Sequence, residues 1–140
     1  MIRYALTLPL ILCMPAVAEF TLQRHDDGKS TLLEDRSPVL VYNWGDQLKD
    51  GLPEDRTRSC YVHPLFGLDD EVLTDDFPND HTHHRGVSTM WPGMKIGHLA
   101  VDHWHLKGIR TINRSLELIP ISNRAELIAS NEWVLADGTV

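Results

Sequence analysis

The sequence predicts an all-β protein with a β-sandwich as its architecture, on three observations. Short runs of β-branched and aromatic residues recur at close spacing along the 140-residue chain. Clusters of Gly, Pro, Asp and Asn separate them, as turns separate the strands of a sandwich or barrel. No segment carries a long, capped apolar pattern of period 3.6, the mark of an amphipathic helix. Residues 122–129 are the best helix competitor, and the β-branched and aromatic residues that follow them favour a strand.

Taken in order, residues 20–24 alternate apolar and polar, as a half-buried strand does. Residues 38–42 (Pro-Val-Leu-Val-Tyr) are rich in β-formers and open on proline, which suits a strand start. Residues 47–59 are polar, hold Gly51 and Pro53, and read as a long loop. Cys60-Tyr61-Val62 reads as a short strand ended by His63-Pro64. A turn at residues 67–70 leads to a short extended stretch, 71–74, and then to an irregular polar loop, 75–85. Residues 86–91, 99–105, 115–119 and 125–135 read as further strands. After the last of these, Asp137-Gly138 is a hairpin signal, and the returning strand needs more residues than follow. The expectation is that residues 19–140 form the N-terminal part of a single, truncated β-sandwich domain.

Residues 1–18 read as a secretory signal peptide. Arg3 gives a positive start, residues 4–14 are almost wholly apolar, and Ala16-Val17-Ala18 offers a small-x-small cleavage pattern. The apolar run is too short for a stable membrane anchor. Removing this leader removes Cys13 and leaves Cys60 alone, so no internal disulfide can form. A periplasmic or secreted location follows. The formal charge of −7 argues against a nucleic-acid partner, which needs clustered positive charge. At 42% hydrophobic and 24% charged, the composition is that of a folded chain.

Eight histidines are the compositional oddity. Three of them crowd into one loop, Asp80-His81-Thr82-His83-His84-Arg85-Gly86. In an extended segment His81 and His83 would share one face and His84 the other. Two chemistries stand open. Imidazole titrates nearest neutrality and suits general acid–base catalysis by His81, His83 and His84. A His-x-His pair also holds transition metals, so a single metal ion on His81, His83, His103 and His105 is the alternative to no cofactor at all. Arg85 suits a carboxylate or sugar hydroxyls, Asp80 suits a ring or the substrate, and His63 beside Pro64 is a further binding candidate. A second group, Asp102-His103-Trp104-His105, would set His103 and His105 on one strand face and Asp102 with Trp104 on the other. Trp44, Trp91, Trp104 and Trp133 are core candidates by default, with one or two free to stack on a sugar ring. Cys60 reads as a small core residue.

Three stretches together resemble a known family. They are Tyr61-Val62-His63-Pro64-Leu65-Phe66-Gly67, then Glu71-Val72-Leu73-Thr74-Asp75-Asp76-Phe77-Pro78, then Asp80-His81-Thr82-His83-His84-Arg85-Gly86. They are similar to the signature of a bacterial exported family labelled PmoA-like or "methane oxygenase PmoA". The family usually has proline where Thr82 stands here. The resemblance runs from about Pro38 onward and implies a galactose-mutarotase-like supersandwich, longer than this chain. Through its association with sugar degradation it also implies a small carbohydrate substrate. The expectation is an exported carbohydrate-active protein. A metal-dependent oxygenase and a non-catalytic carbohydrate-binding module are the alternatives. The sequence carries no sign of oligomeric state.

Overall fold

A computed structural model describes residues 17–139, and its architecture is all-β and sandwich-like. Residues 1–16, which hold nearly all of the expected signal peptide, lie outside the described residues. No helix among the described residues is long and apolar enough to cross a membrane.

The first four strands form one antiparallel sheet in chain order: β1 (Phe20–Arg24), β2 (Lys29–Glu34), β3 (Ser37–Asn43) and β4 (Tyr61–Leu65). Strand β2 has no counterpart in the sequence reading. Its inward positions are Ser30 and Leu32, both buried, and a buried serine hides the alternation that hydropathy would reveal. Two tight turns frame it. Gly28 takes φ +80° and lies so close to Gly45 that a Cβ would stand 2.7 Å from the Gly45 Cα. Asp35 takes φ 57°, a left-handed value that aspartate tolerates.

Strand β4 runs through His63-Pro64 and does not end there. Only β3 pairs with it over its length, and proline, lacking an N–H, is tolerated at such an edge. Between β3 and β4 the polar loop is as expected, with a 3₁₀ turn at Glu54–Arg56 and a bridge between Gln47 and Arg58.

The remaining strands are two hairpins. Strands β5 (Met94–Ile96) and β6 (Leu99–Val101) form a small one, and β7 (Ile109–Ile121) and β8 (Arg124–Leu135) a long one. Val101, Ile109 and Leu135 make a buried cluster, with Met94, Ile96 and Leu99 packed on it, so the small hairpin covers the base of the long one. Three polar ties join the long hairpin to the first sheet and the loop before β4. Arg24 donates to the Leu116 carbonyl at 2.6 Å, Tyr42 to Asn131 at 3.0 Å and Ser59 to the Thr111 carbonyl at 2.6 Å.

Three expected strands are shorter than the sequence reading or absent. Residues 71–74 contribute one bridge, Phe66 to Val72, and residues 86–91 one, Val62 to Val87. Residues 99–105 keep only β6, because Asp102 and Lys107 bridge across a tight turn.

Candidate functional site

The histidine loop is a pair of successive turns and not an extended segment. The His81 amide donates to the Pro78 carbonyl at 3.1 Å, and the His84 amide to the His81 carbonyl at 2.8 Å. The turn from His81 to His84 therefore gathers rings that an extended chain would set on opposite faces. His81 and His84 stack with centroids 4.7 Å apart, and the His83 ring meets His84 edge-on at 4.4 Å. The ring of His105 lies 5.6 Å from His83, and the Trp104 indole lies 5.8 Å from His83 and 5.4 Å from His84. Four imidazoles and one indole thus share a patch contributed by two loops.

Arg85 shapes this loop from inside. Its side chain is fully buried, and its guanidinium lies 3.2 Å from the centroid of the Phe77 ring. It donates to the carbonyls of Thr82, His84 and Arg56. Its Nε lies 3.5 Å from Asp76 Oδ1, an ion contact too long to be a hydrogen bond. The other Asp76 oxygen accepts from the Tyr61 hydroxyl at 2.9 Å. Burial pushes the Asp76 carboxyl up, against the pull of Tyr61 and Arg85. Arg85 is thus a structural tie of the loop, where the sequence suggested a substrate ligand, although it also borders a cleft described below.

The second loop departs from the sequence reading in the same way. Residues 103–106 form a turn, so His103 and His105 do not share a face. His105 is exposed, with Nδ1 bonded to Asp102 Oδ2 at 3.0 Å, and Asp102 Oδ1 also accepts from its amide at 2.9 Å. His103 points inward, with Nε2 bonded to Thr111 Oγ1 at 2.7 Å and its ring 5.3 Å from that of Trp133. His63 stays apart from the ring cluster, bonded through Nδ1 to Thr74 Oγ1 at 2.9 Å. Asp80 stands in solvent and holds His81 Nδ1 at 3.0 Å.

Charge differentiates the rings. The hydrogen bonds from His81 and His105 hold the carboxyls of Asp80 and Asp102 below the usual range. Each bond also fixes a ring and leaves its Nε2 free. Partial burial, then the neighbouring imidazoles His84, His105 and His81, and then Arg58, hold His83 below the ordinary imidazole value. His83 is accordingly neutral at pH 7 and able to accept a proton.

The donor set does not fit a metal ion. Among the described residues no three His, Cys, Asp or Glu side chains converge as ligands. Of the four proposed ligands, His103 is turned into the interior and bonded to Thr111, so it does not join His81, His83 and His105.

Arg58 is the residue that sequence reasoning missed. It is 5% exposed and donates to the Trp104 carbonyl at 3.2 Å, joining the 47–59 loop to the turn that carries Trp104 and His105. Nothing in Arg56-Thr57-Arg58-Ser59 distinguishes a buried arginine from a solvated one. A cleft of about 960 Å³ is lined by Arg58, Arg85, Tyr61, His103 and Trp133, but not by His81, His83, His84 or His105. The imidazole patch is therefore a surface site, and the cleft is a separate feature.

A family model described as "Family of unknown function (DUF6807)" matches residues 29–140. No curated protein and no solved structure matches the chain.

Proposed function

The chain belongs to this family of unknown function, and from the clustered imidazoles and the Trp104 indole beside them we propose an acid–base enzyme acting on a small carbohydrate. One observation carries the reading: the His83 ring sits within 4.4–5.9 Å, centroid to centroid, of His81, His84 and His105, in surroundings that favour its neutral form. Proton transfer needs one group that takes a proton and another that gives one, and imidazoles in unlike surroundings provide both. His83 is the base. His81 and His105 are each held by an aspartate through Nδ1, and in the imidazolium form either can return a proton from Nε2. The Trp104 indole beside them offers an apolar face of the kind on which a sugar ring stacks.

The resemblance to the PmoA-like family supports the carbohydrate half of this reading by association, with a mutarotase-like supersandwich as the fold it would imply. The apolar leader, its positive start and its small-x-small end support export to the periplasm or exterior. An oxygenase would need a metal that these side chains, as arranged, do not hold together.

The test is single replacement of His83, His81 and His84 by Ala, with turnover measured over a panel of glycans across pH. His83→Ala is expected to lower kcat by roughly 10²–10⁴-fold, the usual contribution of a general base. Its pH profile should lose the limb that His83 sets. Unchanged turnover removes the rings from the mechanism. Weakened sugar binding with no product at any pH converts the protein into a binding module.

A further inference from the structure

The imidazole patch leaves the cleft of about 960 Å³ unexplained, a size in the range of small-molecule sites. Its wall contains a buried cation without a counter-charge. Arg58 donates to three backbone carbonyls, those of Asp55 (3.2 Å), Thr57 (2.9 Å) and Trp104 (3.2 Å). Its Nε bonds nothing, and among the described residues no carboxylate lies within 4.0 Å of it. The neighbouring Arg85 shares its charge with Asp76. His103, in the same wall, is 4% exposed, and its Nδ1 also lacks a partner. Burial, with the charges of Arg85 and Arg56, pushes Arg58 down to about 10, where it is still protonated at neutral pH.

A buried, unpaired guanidinium is costly, and the group that relieves it best is a planar anion matching its fork of donors. At least two of its five N–H groups have no acceptor, since it makes only three hydrogen bonds. The exposed carboxylates Asp46, Glu54 and Asp55 also line the cleft, and they repel multiply charged anions more than singly charged ones.

We propose that this cleft binds a small organic monocarboxylate of sugar-acid size, its carboxylate on Arg58, with Nδ1 of His103 as a second polar contact. Trp133, part-exposed in the same cleft, provides an apolar wall for the body of the ligand. The inference does not rest on the imidazole chemistry proposed above, since none of those four rings lines the cleft.

The test is calorimetric titration of the full chain at pH 7 and constant ionic strength with D-glucuronate, D-glucose and inorganic phosphate. Glucuronate should bind saturably and roughly tenfold or more tightly than either of the others, the scale expected for one charge-assisted contact. Arg58→Gln should abolish that preference. Arg58→Lys, which keeps the charge and loses the flat donor edge, should weaken it. Should Arg58→Gln not fold, the Arg58 Nε–H resonance of ¹⁵N-labelled wild type decides, because it must shift saturably with glucuronate and not with glucose. Equal binding of glucuronate and glucose overturns the proposal. So do tighter binding of phosphate, an unmoved Nε–H resonance, and unchanged binding in a folded Arg58→Gln.

Discussion

Gly86→Ala should unfold the histidine loop from its hinge. Gly86 lies between two bridges, Asp76–Arg85 and Val62–Val87, where the loop returns to the edge of the sheet. A Cβ there would stand 2.0 Å from the Val62 carbonyl oxygen and 2.9 Å from His63 Cβ, whereas ordinary contact begins at 3.4 Å. The obstacle is the backbone of Val62 within β4, so no side chain can swing aside. Val62 and Val87 exchange two hydrogen bonds, each 2.9 Å, and moving the chain by more than 1 Å disrupts both. Overpacking of this kind costs about 1–3 kcal/mol, and each lost backbone bond about 1 kcal/mol. The expected loss is therefore about 3–5 kcal/mol, read as a lower midpoint in equilibrium urea unfolding. Gly51→Ala is the control. Nothing lies within 4 Å of its Cβ, and its φ of +82° leaves only backbone strain of about 1 kcal/mol. A Gly86→Ala protein no less stable than Gly51→Ala would refute the reasoning.

Other expectations follow from the buried polar groups. Tyr61→Phe removes the 2.9 Å bond to Asp76 and should cost about 1.5–3 kcal/mol, with strong non-additivity against Asp76→Asn in a double-mutant cycle. Additive costs would mean the pair does not interact. Burial and the charge of Arg58 hold His103 below the ordinary value of 6.5, so the unfolded chain takes up a proton first as pH falls. Its contribution is therefore intact above pH 6.5 and fades as pH drops toward the folded value. His103→Gln should flatten the dependence of the urea midpoint on pH below 6.5, and an unaltered slope would count against this assignment. Burial pushes the Cys60 thiol up, so alkylation by iodoacetamide at pH 7 should run several-fold slower than for free cysteine. A rate equal to that of the free amino acid would show the side chain to be more open than described.

Much of the fold is legible in the sequence, and the misses have physical causes. Strands β1, β3 and β8 announce themselves by alternation and β-branched content. Strand β2 does not, because its inward residue Ser30 is polar, yet Asp27-Gly28 ahead of it is the same hairpin dipeptide read at Asp137-Gly138. Strand β7 runs over 13 residues where the sequence shows a strand only at 115–119, since its first half pairs with β8 through Arg110, Thr111 and Asn113. At the site, the loop composition pointed to His81, His83 and His84, which do lie together, but not in the geometry expected. An extended segment separates His84 from His81 and His83, whereas a turn unites them, and the turn is set by Phe77 and Arg85, whose burial no local pattern reveals. His103 and Arg58 illustrate the same limit: whether a polar side chain faces water or the interior is decided by distant segments.

The way Arg85 braces the loop separates shape from protonation. Its guanidinium grips the main-chain oxygens of Thr82, His84 and Arg56, none of which gains or loses a proton in water. The rings carried on that frame can change charge individually while the frame stays as it is. Mild acidification thus retunes the patch electrically, and the frame around Arg85 itself changes charge only where Asp76 takes up a proton.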